Sequence, residues 1–242
     1  MLSKRNLRNV IRWPLLLLAI IWIVSVLDFY LLGGALSYYY GLHTRQLAGL
    51  PGIIASPLLH SGWPHLLSNS FPFLTLSGLL VFFYPRLWPR VMTTLWLGTG
   101  VLVWALGRSV THIGASGVVY ALAAFLAFSG IFRRDFRAVV VSLVVLFYYG
   151  GMVVGILPGQ EGISWESHLL GLIMGALAGW LFRGEMEDHE LETKRKEAER
   201  RRASPKEHFL DADAFTKTKQ EREQEAFWKK LEKLREEDRL SR

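Results

Sequence analysis

The stretch GASGVVYALAAFLAFSGIF, residues 114–132, carries no Asp, Glu, Lys, Arg or His. From Ser116 to Phe132 it is 17 residues. At ~1.5 Å of rise per residue that makes about 25 Å of helix, several Å short of a hydrocarbon core ~30 Å thick. A helix apolar all round is surrounded by apolar material. Ser116 is therefore expected below the membrane surface, with the preceding stretch Arg108–Ala115 dipping in to reach it. Irregular backbone at that depth is stable only when buried in protein or lining a water-filled cavity. A recessed aqueous pocket beside Ser116 follows.

Five further apolar runs flank this one, at about 13–32, 65–84, 91–108, 138–157 and 166–183. The expected fold is an all-α membrane protein, a bundle of six transmembrane helices. Charge divides the chain of 242 residues sharply: residues 184–242 hold 16 Lys/Arg and 17 Asp/Glu, leaving 12 of 28 basic and 4 of 21 acidic residues to residues 1–183. That body is far less charged than a soluble domain, roughly a quarter of whose residues are charged. A soluble single-core protein is excluded as the main reading. The first run is long and lacks a small-residue cleavage site, so it reads as a retained span. Lys4, Arg5, Arg8, Arg12, Arg86, Arg90, Arg133, Arg134, Arg137 and Arg183 fall on one side of the six runs, and only Arg45 and Arg108 on the other. By the positive-inside rule both termini are cytoplasmic. The same bias accounts for a pI near 9.7 without nucleic acid as a partner. The chain divides into a cytoplasmic segment 1–12, a membrane domain 13–183 and a charged cytoplasmic tail 184–242, helical or partly disordered.

Ionisable and polar groups within membrane spans mark function by default. Three clusters qualify: His60-Ser-Gly-Trp-Pro-His65-Leu-Leu-Ser-Asn69, Gly114-Ala115-Ser116-Gly117, and His168. All lie toward the same non-cytoplasmic side. From His168, Gly171, Gly175 and Gly179 follow at +3, +7 and +11 on nearly one face, a small-residue stripe that admits a neighbouring helix closely. If that neighbour is the span opening with Ser116-Gly117, His168 can serve as general base to a Ser116 nucleophile. His65 and Asn69, at i and i+4, share a face from which their N–H groups, with the Ser116 backbone N–H, can stabilise an oxyanion. No Cys is present, which removes thiolate chemistry and disulfides.

In the motifs His60-x4-His65-x3-Asn69, Gly114-x-Ser116-Gly117 with Tyr120, and His168-x2-Gly171-x3-Gly175, the chain resembles the rhomboid-family intramembrane serine proteases. The resemblance covers residues 13–183. It implies Ser116 as nucleophile and His168 as base without a third acid, and His65 and Asn69 in the oxyanion site. It further implies His60 as a structural loop histidine and Tyr120 packed on the His168 ring. No cofactor or metal is implied. The partners would be transmembrane protein substrates and the lipid bilayer, most simply of a bacterial inner membrane. The first loop, around Arg45-Gln46, lacks a Trp-Arg pair that many relatives carry there. A non-catalytic rhomboid-like protein that delivers membrane clients is the alternative; a channel or transporter would call for internal repeats or broken mid-membrane helices.

Some groups need only bland explanations. Asp28 is expected to snorkel to the membrane surface, Glu161 and Glu166 to be solvated at a loop edge, and His43, His112, His189 and His208 to be loop or tail residues. In the tail, Phe227, Leu231 and Leu234 at i, i+4, i+7 suggest a short amphipathic helix; the tail reads first as a cytoplasmic appendage, the alternative being a helix that docks a cytoplasmic partner or lies on the membrane surface.

Overall fold

The structure, a computed structural model, describes residues 4–133, 136–158, 164–203 and 216–240. In chain order its helices are α1 (Lys4–Tyr30), α2 (Ala35–Tyr40), α3 (Gly52–Ala55), α4 (Trp63–Phe83), α5 (Trp88–Leu106), α6 (Ser116–Arg133), α7 (Phe136–Tyr149), α8 (Trp165–Leu181), α9 (Asp188–Ala203) and α10 (Lys219–Leu240). Helices thus occupy all six apolar runs. Pro64 and Pro89 stand in the first turns of α4 and α5, where a missing N–H costs no intrahelical bond. α7 ends earlier than its apolar run: at Gly150-Gly151 the chain tightens into a 3-10 helix, Gly150–Ile156. Among the described residues three helices are long and apolar enough to cross a membrane unaided, Arg8–Tyr30, Trp63–Phe83 and Ser116–Arg133.

α6 is the central element, buried along most of its length, as the uncharged circumference of residues 116–132 requires. Phe73, Leu76 and Leu80 of α4, Leu95 of α5 and Leu122, Phe125 and Leu126 of α6 are fully buried. Apolar side chains also cover outward faces: Leu15, Ile20 and Ile23 on α1 and Leu143 and Phe147 on α7 are exposed. Such faces suit hydrocarbon rather than water. α6 packs most extensively against α8. A Cβ at Gly171 would collide with the carbonyl oxygen of Gly117, and one at Gly175 with that of Ala121; one at Gly179 would find ordinary contact at 3.4 Å from Ser129 N.

Asp28 does not snorkel. It is fully buried and accepts hydrogen bonds from the backbone N–H groups of Leu36 (2.8 Å) and Ser37 (3.1 Å) and from the Ser37 hydroxyl (2.6 Å). Left-handed Gly33 (φ 56°) and Gly34 (φ 84°) reverse the chain so that the start of α2 meets this carboxylate, which satisfies its free donors.

At the end of the bundle opposite Ser116, residues 184–191 belong to the same compact unit as the membrane helices, which runs to Leu191. Glu187 is buried and accepts from the backbone N–H groups of Arg86 (3.1 Å) and Leu87 (3.0 Å). Burial pushes its carboxyl up from the usual range, while those two donors and Arg133 act against the shift. Glu190 pairs with Arg133 (2.5 Å), whose side chain is 3% exposed and lies over the Tyr84 ring. Arg90 pairs with Glu185 and Arg86 with Asp188. Arginines counted for topology are thus neutralised by acids that follow α8. A chain ending after Leu191 should keep the thermal stability of the full protein. Glu190→Leu, which strands the buried Arg133 charge, should lose on the order of 3 kcal/mol. Equal melting of Glu190→Leu and parent in detergent would show that the pair contributes nothing.

In the second unit, Glu192–Arg242, the described residues form the rest of α9 and α10, both rich in charged side chains. Pairs such as Glu192–Lys196 and Arg195–Glu199 support it at i, i+4. Phe227, Trp228 and Leu234 of α10 are exposed. His208 lies outside the described residues.

Candidate active site

The N-terminal ends of α4, α6 and α8 meet around one cavity of about 910 Å³. His65, Asn69, Ser116, Tyr120 and His168 all line it. Three helix N-termini directed at one space supply partial positive charge and backbone N–H groups. Ser116 is the first residue of α6, so its own N–H has no preceding turn to donate to.

The approach to Ser116 is held by two neighbours. Gly114 has φ 108°, donates its N–H to the Ser56 carbonyl (2.9 Å), and would place a Cβ 2.6 Å from the His65 ring. Both the backbone conformation and the space restrict the position to glycine. His60 is 1% exposed; its Nε2 accepts the Ala115 N–H (3.3 Å). The ring proton therefore sits on Nδ1, which donates to Ser25 Oγ (3.0 Å), and that hydroxyl donates to the Leu58 carbonyl (3.0 Å). His60 thereby ties α1 to the backbone one residue before the nucleophile candidate. Burial, with His65 adding like charge, lowers its pKa to about 3. Unfolded His60 takes up a proton near pH ~6.5, so between there and pH 3 the unfolded state binds more protons and stability falls as pH falls. His60→Gln, which keeps an acceptor without the titration, should flatten this acid limb of a melting-temperature profile from pH 7 to 4. An unchanged slope would place the acid sensitivity elsewhere.

His168 and Tyr120 stack with ring centroids 4.2 Å apart and 8° between planes. His168 Nδ1 lies 2.8 Å from the Gly155 carbonyl, and the Tyr120 hydroxyl donates to the Met152 carbonyl at 2.7 Å. Asn69 Nδ2 donates to the His65 carbonyl (2.9 Å), leaving its second amide hydrogen. His65 Nδ1 lies 3.2 Å from Ser61 Oγ. No hydrogen bond joins Ser116 to His168 among the described residues; such bonds are often loose without substrate and tighten in the complex. Gly117 accommodates α8 by close approach, with a Cβ there meeting Ser167 O at 3.2 Å.

Two groups dismissed from the sequence have defined places. His112 is 3% exposed, lies 2.6 Å from Ser164 Oγ, and donates Nε2–H to the Arg108 carbonyl (3.1 Å), tying the loop before Ser116 to the start of α8. Glu166 is buried and pairs with Arg108 at 2.7 Å, whereas Glu161 lies outside the described residues. In the first loop, Arg45 bonds the Gly107 carbonyl (2.6 Å) and Trp104 donates to the Gln46 carbonyl (2.9 Å). Only their long-range partners make these residues informative. Among the described residues no cluster of three or more His, Cys, Asp or Glu could hold a metal ion.

Compared with known proteins, residues 45–185 match the family model described as Rhomboid domain. The chain is 35% identical over 172 residues to "Uncharacterized protein Rv1337" of Mycobacterium tuberculosis (strain ATCC 25618 / H37Rv), covering 67% of this chain and 71% of that one. It is 34% identical over 151 residues to "Uncharacterized protein ML1171" of Mycobacterium leprae (strain TN), covering 58% and 59%.

Proposed function

This chain belongs to the rhomboid family of integral membrane proteins, and from that premise we propose that it is an intramembrane serine endopeptidase working by a Ser116/His168 dyad. The observation that carries the proposal is the meeting of Ser116, His168, His65 and Asn69 in one cavity at the N-terminal ends of three apolar helices. The six apolar helices cross the membrane with both termini cytoplasmic, in a bacterial inner membrane, and the cavity opens toward the other side. Its substrates are transmembrane segments.

Ser116 Oγ attacks the scissile carbonyl carbon while His168 Nε2 takes the hydroxyl proton. The oxyanion is met by the Ser116 N–H, the His65 ring and the free Asn69 amide hydrogen, groups held in place before charge develops. The intermediate collapses as the protonated His168 gives its proton to the leaving amine, forming an ester on Ser116. Water, deprotonated by the same ring, then releases the acid. The alternative, a client-binding protein without catalysis, is favoured by the missing Ser116–His168 hydrogen bond alone.

A substrate helix hides its carbonyls in i→i−4 bonds, and freeing them in hydrocarbon costs several kcal/mol per group. Scissile segments should therefore carry Gly, Pro or polar residues in the outer part of their span, where cavity water satisfies the freed groups. Replacing these with Leu and Ala in a cleaved reporter should sharply reduce cutting. The same changes near the cytoplasmic end should matter little. Equal cleavage of the three reporters at matched insertion would refute outer-leaflet unwinding.

A further inference from the structure

In a serine–histidine site the base must keep its proton on Nδ1 so that Nε2 can accept from the hydroxyl, a task usually given to a buried carboxylate. His168 has instead the Gly155 carbonyl oxygen at 2.8 Å from Nδ1. A carbonyl oxygen only accepts, so Nδ1 carries the hydrogen and the lone pair is left on Nε2. The Tyr120 ring stacked on this imidazole is anchored to the same 3-10 segment, through the Met152 carbonyl. Residues 152 and 155 are three apart, one full 3-10 turn, so the two carbonyls lie on one side of the segment.

Residue 155 also has no room for a side chain. A Cβ there would collide with the Tyr120 hydroxyl and stand 3.2 Å from His168 Nδ1. Gly151, in the same segment, would place a Cβ in open space. Only glycine lets this backbone pass under the Tyr120 hydroxyl and still reach the imidazole.

Building on the dyad proposed above, we infer that Gly155 is a positioning residue of the reaction: its backbone carbonyl takes the place of the missing acid, selecting the His168 tautomer with Nε2 free. A neutral acceptor does this without a buried carboxylate, whose charge is costly within the membrane. Orientation is retained, and no third ionisable group is needed.

The test uses the full-length protein in detergent, with 15N-labelled histidine and the His168 signals assigned by their loss in His168→Asn. In the parent the hydrogen is expected on Nδ1. Gly155→Ala should lower kcat at least about tenfold with KM within about twofold, and should shift His168 toward the Nε2–H tautomer. Gly151→Ala should change neither. Tyr120→Phe removes the colliding hydroxyl, so Gly155→Ala/Tyr120→Phe should cleave no worse than Tyr120→Phe alone, a coupling that simple misfolding would not produce. A parent His168 protonated on Nε2, or a Gly155→Ala protein with parental kcat and tautomer, would overturn the inference. The tautomer signal does not depend on turnover. A parent with Nδ1–H that cleaves no reporter would therefore refute the protease reading, while the Gly155→Ala spectrum still decides the role of Gly155.

Discussion

Ser116→Ala and His168→Ala should each reduce cleavage of a transmembrane reporter by several orders of magnitude, while both proteins insert and melt like the parent. In the proposed dyad the two side chains act as a unit: without the hydroxyl no acyl intermediate would form, and without the imidazole the hydroxyl would keep its proton. The double variant should therefore be little worse than either single one. What remains over the uncatalysed rate would come from the oxyanion donors and from binding. Both side chains border the cavity, and neither belongs to the hydrophobic core. Purified Ser116→Ala with parental activity would remove Ser116 from the mechanism, and additive losses in the double variant would argue against a shared step.

Gly171→Val should have the second-largest effect, acting on stability and activity together. α8 lies against α6 so closely that a Cβ at 171 meets the Gly117 carbonyl oxygen, next in sequence to Ser116. Backbone cannot move aside as a flexible side chain can, so the helices must separate. We expect a loss of roughly 3 kcal/mol or more, at or above the upper end of overpacking costs, with cleavage lost because the base withdraws from the nucleophile. Gly175→Val should behave similarly. Gly179→Ala should be tolerated, since its Cβ would find 3.4 Å to the nearest atom. A Gly171→Val protein that melts and cleaves like the parent would place this face of α8 against lipid.

These contrasts explain which features were legible from sequence. Helices were, because each apolar run is far longer than any packing accident and α6 is apolar on every side. The glycine face of α8 was, because helical periodicity alone puts 171, 175 and 179 together. That Ser116 and His168 border one cavity was reachable because polar groups are scarce in such runs, and scarcity makes each one informative. Asp28 was misread for the complementary reason: its partners, the N–H groups of Leu36 and Ser37, arrive only after the Gly33-Gly34 reversal. The pairing of Glu187 and Glu190 with residues 86, 87 and 133 was hidden because their acids look like the solvated tail that follows. His112 and Gly155 carry no local pattern; backbone carbonyls, at Arg108 and toward His168, give them their places.

The central claim is that Ser116 is a nucleophile activated by His168, and the most direct measurement is covalent capture. The purified protein is incubated with a fluorophosphonate, which forms a stable phosphonyl ester only with an activated serine, and the modified peptide is mapped by mass spectrometry. The account predicts one adduct, on Ser116, abolished in Ser116→Ala and reduced by orders of magnitude in the folded His168→Ala protein. No adduct on Ser116 in a folded, correctly inserted parent, or equal labelling in His168→Ala, would contradict it.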